Sequence, residues 1–205
     1  MLNITMTRTA LSLNLFLILL TSLFFNTQST QAIGYAVDVP SGFEDFNESV
    51  QNGAADVLRG VYVSDVFALP VVQQPANNSY YVSKRDKEIT QFSIASQYGN
   101  TGLLAHNHLS GRLFSQLMVG QEIRLVYGDG RVEHYVVAQL LHFQALQPES
   151  ITSSFRNLDR NETLTSAQMF NRAYVGKNRL VFQTCIAENG NPSWGRLFVI
   201  AMPKQ

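Results

Sequence analysis

Short runs of β-branched and aromatic residues alternate with polar turns through the second half of the chain. Glu122 to Tyr127 and Val132 to Gln139 are two such runs joined across a Gly-Asp-Gly turn at 128–130, a pattern that predicts a β-hairpin. Leu180 to Ile186 and Leu197 to Ala201 predict a second pair of strands, and a polar loop separates them. This half of the chain is therefore expected to be built from antiparallel strands.

In the rest of the chain, the pattern of apolar and polar residues predicts further strands and few helices. Met169, Phe170 and Ala173 have helical spacing behind Thr163 and Thr165, which are candidate caps. The remaining predicted elements are strands at Gly60 to Leu69, Ser79 to Val82 and Thr101 to His106, one or two helical turns in Ile89 to Tyr98, and short helices at Gly111 to Leu117 and Ser166 to Tyr174. Roughly eight short strands with two brief helices predict a mostly β fold, a single barrel or a sandwich.

An apolar leader precedes these elements. Met1 to Ala10 carries one charge, Leu11 to Phe25 is almost continuously apolar, and Thr30 to Ala32 ends in a small residue. This order is typical of a secretory signal peptide over 1–32, with an uncleaved membrane anchor as the alternative. We therefore expect an exported protein, secreted or attached to the outer face of a membrane, with a linker over 33–58 and the barrel domain over 59–205.

Composition narrows the possible functions. The 205 residues include 15 Lys and Arg against 15 Asp and Glu, so the net charge is zero and nothing indicates a nucleic-acid surface. One cysteine excludes a disulfide framework and any site with several cysteine ligands. The apolar content of 45% is too high for a disordered chain.

The single cysteine, Cys185, is the first candidate for chemistry. It ends a predicted strand and is followed by the polar stretch Glu188 to Ser193. A free cysteine is often a buried packing residue. A strand end at a barrel rim is nevertheless accessible to solvent, and an unpaired thiol is exposed to oxidation in an exported protein. Cys185 is therefore a candidate nucleophile.

Arg196 is expected to lie beside this thiol. If the hairpin is symmetric about a centre between Gly190 and Asn191, Arg196 is directly opposite Cys185, and the two Cβ atoms are about 4.5–5.5 Å apart. A guanidinium there stabilises a thiolate and offers donors to a developing oxyanion. The alternative is an arginine that only solvates the barrel edge.

Two histidines follow the predicted strand Thr101 to His106. His106 and His108 share one face if the strand continues, and either imidazole can serve as the acid or base that thiol catalysis needs. The His-x-His pair also permits a metal site with Cys185 as third ligand. The Glu that follows such a pair in cupin-like barrels is replaced here by Arg112 and Leu113.

These residues in this order resemble the sortase family of exported cysteine transpeptidases. The family's Thr-Leu-x-Thr-Cys motif aligns with Val181 to Cys185, so that the closing Thr184-Cys185 is kept. The family's strand-borne arginine matches Arg196, and its catalytic histidine matches His106, which Ala105 precedes in place of the usual glycine. The resemblance spans Gly60 to Ala201.

The resemblance implies a closed eight-stranded β-barrel with one or two short helices, and catalytic His106, Cys185 and Arg196. His108 and Thr184 are implied only as supporting residues. The implied substrates are exported proteins with a C-terminal sorting signal of the Leu-Pro-any-Thr-Gly type, and the implied acceptor is an amine of the cell wall or of a pilin.

No cofactor is expected, although some family members bind calcium near the last helix, where this chain has Asp159 and Glu162. The alternatives are a non-catalytic exported barrel that acts as a binding module and a metal-dependent barrel enzyme that uses His106, His108 and Cys185.

Overall fold

The computed structural model describes residues 42–150 and 152–205, so the predicted signal peptide or anchor and the first part of the predicted linker lie outside the described residues. In chain order the elements are α1 (Phe43–Val50), β1 (Leu58–Val63), β2 (Phe67–Gln73), β3 (Ile89–Phe92), α2 (Ser93–Ser96), β4 (Thr101–Leu104), a 3₁₀ helix (Ser110–Gln116), β5 (Glu122–Tyr127), β6 (Val132–Ala145), β7 (Phe155–Asn157), β8 (Thr163–Leu164), α3 (Ser166–Tyr174), β9 (Leu180–Glu188) and β10 (Asn191–Pro203). Among the helices of these residues, none has the length and apolar content that a membrane crossing requires.

Eight of the strands form a closed barrel. Their order is β10-β9-β4-β3-β2-β1-β5-β6, and the pairing of β10 with β6 closes the ring. The short strands β7 and β8 continue the sheet outward from β6. Closure leaves no unpaired edge in the barrel itself. The predicted mostly β fold with a closed eight-stranded barrel is confirmed.

Alternation along the strands separates two apolar cores. Residues that point into the barrel form the larger cluster, which includes Phe67, Leu103 and Phe182, each with no measurable exposure. The other face of β6, β9 and β10 packs against α3 in a second cluster that includes Tyr174 and Phe198. Because successive side chains of a strand point to opposite faces, β9 contributes to both cores.

The helix α3 begins at the residue predicted from the sequence. The Thr165 side chain accepts a hydrogen bond from the backbone N–H of Gln168, and the Gln168 side chain accepts one from the backbone N–H of Thr165. This capping box satisfies two backbone donors that a helix start otherwise leaves free. The cap therefore fixes the start of the helix that covers the outer face of the barrel.

The predicted linker contains a helix, which corrects that part of the sequence analysis. Helix α1 buries Phe46 against Ala68 and Val126, and Phe43 and Val50 pack on the same cluster. These three aromatic and aliphatic residues of α1 are spaced three and four apart, which is the helical period. The segment before β1 is thus part of the packed domain.

Two short predictions between β2 and β4 also need correction. The segment Ser79 to Val82 is not a strand, because the Gln74 side chain donates to the carbonyls of Ser79 and Tyr81, both at 2.9 Å. Such local side-chain bonds compete with sheet pairing. In Ile89 to Tyr98, the predicted helical turn is confirmed for α2 (Ser93–Ser96), whereas Ile89–Phe92 forms the strand β3, which pairs with β2 and β4.

Candidate active site

Two neighbouring strands and the segment that follows a third carry the predicted residues. In the β9–β10 pair, Cys185 is directly opposite Arg196, as predicted. On the other side of β9, the parallel register with β4 pairs Leu104, the last residue of β4, with Gln183. Beyond the strand, the Ala105 N–H donates to the Gln183 carbonyl at 3.4 Å, and the Ala105 carbonyl accepts from the Thr184 hydroxyl at 2.8 Å. The strand that carries the thiol is therefore flanked by the strand that carries Arg196 and by the segment that leads into His106.

The register opposite Cys185 arises differently from the symmetric loop assumed in the sequence analysis. Asn189 and Gly190 have positive φ values of 52° and 76° and form a two-residue turn, so that Asn191 pairs with Glu188. A bulge between Asn191 and Gly195 then shifts the register. Regular pairing from this turn would set Trp194 opposite Cys185. The bulge therefore places Arg196 at that position.

Cys185 and Arg196 lie on the outer face of the barrel. Their strand neighbours Thr184 and Leu197 are buried, and Leu197 belongs to the interior cluster. Strand alternation then directs both side chains outward. His106 lies beyond the end of β4, directly after the buried Ala105. All three are partly exposed, so a ligand on this face can reach them.

The guanidinium of Arg196 is held by the bulge. Its Nη1 donates to the carbonyl oxygens of Ser193 at 3.1 Å and Gly195 at 2.8 Å. Its Cζ lies 5.9 Å from the centroid of the Phe155 ring, within cation–π range. Both hydrogen bonds use Nη1, so Nε and Nη2 have no hydrogen-bond partner among the described residues. These donors can bind an oxyanion.

The imidazole of His106 packs beside that of His108. The ring centroids are 5.4 Å apart and the planes differ by 29°. Burial lowers the pKa of His106, and the nearby charges of His108 and Lys84 lower it further, while a backbone hydrogen bond with Val82 opposes these effects. His106 is therefore mainly neutral at pH 7, the form that accepts a proton.

Thr184 fixes the spacing between β4 and β9 at the level of the site. Its buried hydroxyl donates to the Ala105 carbonyl at 2.8 Å. Gly111, at the start of the 3₁₀ helix, packs so closely that a Cβ there would lie 2.3 Å from the Thr184 hydroxyl and 2.7 Å from the His106 carbonyl oxygen. The backbone on both sides of His106 is thus held in one position.

Other histidines and carboxylates have partners elsewhere. His134 contacts Glu122 and His142 contacts Asp159. Glu162, one of the two candidate calcium ligands, is paired with Arg172. Within residues 42–150 and 152–205, no three His, Cys, Asp or Glu side chains are placed to hold a metal ion, which argues against the His106, His108 and Cys185 metal site.

Asn107 and Gly111 contact the candidate site, and no sequence pattern predicted either of them. The Asn107 side chain donates to the Pro192 carbonyl at 2.9 Å, across 85 residues of chain. Its position between two histidines was the only signal in the sequence. Gly111 carries no sequence signal at all, because its close approach to Thr184 follows from the packing of two distant segments.

The described residues form an eight-stranded barrel in which a partly exposed thiol is opposite an arginine and next to the segment that carries His106. The solved structures to which the chain is similar are sortases, as the sequence motifs predicted. Sortase C1 of Streptococcus agalactiae is 15% identical, with a TM-score of 0.45, over 72% of this chain and 67% of that chain. Sortase A of Listeria monocytogenes is 14% identical, with a TM-score of 0.45, over 73% of this chain and 88% of that chain. Sortase A of Corynebacterium diphtheriae is 12% identical, with a TM-score of 0.49, over 73% of this chain and 61% of that chain.

Similarity at this level concerns the fold and says nothing about side-chain chemistry. No family model matches the chain. Among curated proteins, the ribonuclease 3 of Treponema succinifaciens is 28% identical over 104 residues, which are 50% of this chain and 28% of that protein. The matched segment thus spans less than a third of that enzyme and shows no family membership.

Proposed function

We propose that this protein is a sortase-like cysteine transpeptidase. The observation that supports this proposal is the pairing of Cys185 with Arg196 on neighbouring strands, next to the segment that carries His106. A nucleophile, a proton acceptor and an oxyanion donor are the three groups that acyl transfer to a thiol requires.

In the first half of the reaction, the Cys185 thiol gives its proton to His106 and its sulfur attacks a backbone carbonyl carbon of the substrate. The carbonyl oxygen becomes an oxyanion that accepts hydrogen bonds from Nε and Nη2 of Arg196. The C–N bond then breaks, the leaving amine takes the proton from His106, and a thioacyl-enzyme remains.

In the second half, an amine attacks the thioacyl carbon. His106 takes a proton from this amine, the C–S bond breaks, and the proton returns to the Cys185 sulfur. Water in place of the amine gives hydrolysis. The proposed substrates are exported proteins with a C-terminal sorting signal, and the proposed acceptors are amines of the cell wall or of a pilin. Membrane association through the N-terminal segment belongs to the same proposal.

Replacement of the nucleophile tests the proposal. Purified protein incubated with a peptide containing Leu-Pro-Glu-Thr-Gly is expected to gain the mass of the acyl fragment, and Cys185→Ala is expected to gain none and to lose turnover. Turnover retained in Cys185→Ala would contradict the proposal.

A non-catalytic binding module is the second candidate, because Cys185 is only partly exposed and the same outer face can hold a peptide without reacting. Peptide binding without an acyl adduct, in a protein whose thiol does not react with iodoacetamide at neutral pH, would favour this candidate.

A further inference from the structure

A single side chain joins the two sides of the candidate site. Asn107 follows His106 directly, and its amide Nδ2 donates to the Pro192 carbonyl at 2.9 Å. Pro192 lies in the bulge of β10 that precedes Arg196. The bond therefore spans the strand that carries Cys185 and connects the histidine segment to the arginine segment.

Each end of this connection is braced close to a reacting group. At the histidine end, the His106 carbonyl accepts from the backbone N–H groups of Leu109 at 2.9 Å and Gly111 at 3.0 Å. At the arginine end, the backbone N–H of Ser193 donates to the Asn191 side chain at 2.8 Å. The Ser193 carbonyl in turn accepts from Arg196 at 3.1 Å.

The chain of contacts is short and passes through few rotatable bonds. From His106 it runs through the next residue, Asn107, to the Pro192 carbonyl, and through the next peptide to the Ser193 carbonyl and Arg196. Among the described residues, no other side-chain hydrogen bond joins residues 105–109 to residues 191–196, which β9 and the 3₁₀ helix connect only indirectly. Without the bond from Asn107, motion of the bulge would change the distance from the guanidinium to the thiol independently of the histidine.

We propose that Asn107 is a positioning residue that clamps the His106 segment to the β10 bulge and thereby fixes His106 and Arg196 across Cys185. The proposal rests on the proposed function for its effect on turnover, whereas the clamp itself concerns only the backbone of the two segments. Positioning of this kind acts on the transition state more than on substrate binding.

Three variants test the clamp. Asn107→Ala removes the donor without adding a charge, Asn107→Asp replaces the donor by an acceptor, and Asn107→Gln keeps an amide. Because a net hydrogen bond contributes about 0.5–1.5 kcal/mol, Asn107→Ala and Asn107→Asp are expected to lower kcat about 2- to 13-fold with KM unchanged. Asn107→Gln is expected to recover part of the loss. The assay is steady-state cleavage of a fluorogenic peptide containing Leu-Pro-Glu-Thr-Gly.

The matched control is Asn47→Ala, which changes a partly exposed asparagine of α1 whose side chain accepts from Gln51. This variant is expected to retain the kcat of the unmodified protein. Equal kcat in Asn107→Ala and the unmodified protein would overturn the proposal. A loss of thermal stability in Asn107→Ala with no change in kcat would overturn it as well.

A readout independent of turnover separates the clamp from the proposed function. Amide hydrogen exchange of residues 192–196 is expected to be faster in Asn107→Ala than in Asn47→Ala, and the ¹⁵N signals of the His106 ring are expected to shift. If Cys185→Ala retains turnover, the proposed function fails but these two measurements still decide on the clamp. Unchanged exchange and unchanged ring signals in Asn107→Ala would overturn the clamp even in an active enzyme.

Discussion

Two regions of the barrel treat charged side chains in opposite ways. Where the first residue of β5 and the last residues of β10 flank the same part of β6, Glu122 accepts hydrogen bonds from His134 at 2.9 Å and from Arg124 at 3.1 Å, and it is also paired with Lys204. These partners lower the pKa of Glu122 to about 2. A cavity of about 380 Å³ lies nearby, lined by Glu133, His134, Tyr135 and Arg179 among others.

At the candidate site, neither Arg196 nor His106 pairs with a carboxylate among the described residues. Arg196 is held by backbone carbonyls instead, and His106 packs beside His108. A carboxylate would occupy the donors that an oxyanion needs and would favour the protonated imidazole. The basic groups around Glu122 are thus neutralised by a carboxylate, whereas the guanidinium at the candidate site is held by backbone groups and keeps donors available.

The largest expected difference between the two regions is the loss of activity when one arginine is removed from each. Arg196→Gln removes the oxyanion donor and is expected to lower kcat about 10²- to 10³-fold. Arg131→Gln removes an arginine that is paired with Glu133 on the β5–β6 hairpin. Steady-state cleavage of the same peptide is expected to be unchanged by this second substitution. Similar losses in both variants would break the comparison.

A smaller effect, on the stability of the fold, is expected when Glu122 is replaced. The pKa of Glu122 is depressed in the folded protein. The contribution of its carboxylate to the free energy of unfolding is therefore present above the ordinary pKa of about 4.5 and is lost as the pH falls towards 2. Discounted for solvent exposure, Glu122→Gln is expected to lower the free energy of unfolding by about 1 kcal/mol at pH 7.

Urea unfolding at pH 7 and at pH 3 measures this contribution. The difference between Glu122→Gln and the unmodified protein is expected to shrink at the lower pH, with kcat unaffected at pH 7. The control is Glu149→Gln, at an exposed residue, which is expected to change stability at neither pH. A loss of unfolding free energy in Glu122→Gln that grows as the pH falls would contradict a stabilising role for the ionised Glu122 carboxylate.

The smallest expected effect is a shift in the pKa of His106 at the candidate site. His108→Gln removes one of the charges that lower the pKa of His106, so this pKa is expected to rise towards its ordinary value while burial still lowers it. Since the neutral imidazole accepts the thiol proton, the acidic limb of the rate profile is expected to move to higher pH. The measurements are kcat/KM against pH and an NMR titration of His106. An acidic limb that stays in place or moves to lower pH would show that His108 does not lower the pKa of His106.

Local signals predicted much of the fold. The β5–β6 hairpin and helix α3 with its Thr165 cap followed from patterns within single segments. The pairing of Cys185 with Arg196 was predicted from a symmetric loop, whereas the structure reaches it through a two-residue turn and a bulge. Helix α1 was missed because its apolar residues are few and its partners, Ala68 and Val126, lie on strands that the sequence does not place next to it.

The candidate site was predictable in its residue types and less so in its supports. Cys185, His106 and Arg196 are chemically distinctive and stand in a recognisable order. The Thr184–Gly111 contact and the bond from Asn107 to Pro192 join segments that are distant in sequence, and ordinary residues provide them. Such contacts arise from tertiary packing, which a single sequence does not reveal.

The bulge in β10 has a consequence for chains of different length. It accommodates two additional residues, an even number, so Arg196 stays on the same face as Cys185, whereas one additional residue would turn it into the barrel interior. A chain shortened by Pro192 and Ser193 would still pair position 185 with the same arginine. That arginine would then lack one of the two carbonyls that hold its Nη1, so an intact hairpin register does not by itself fix the position of the guanidinium.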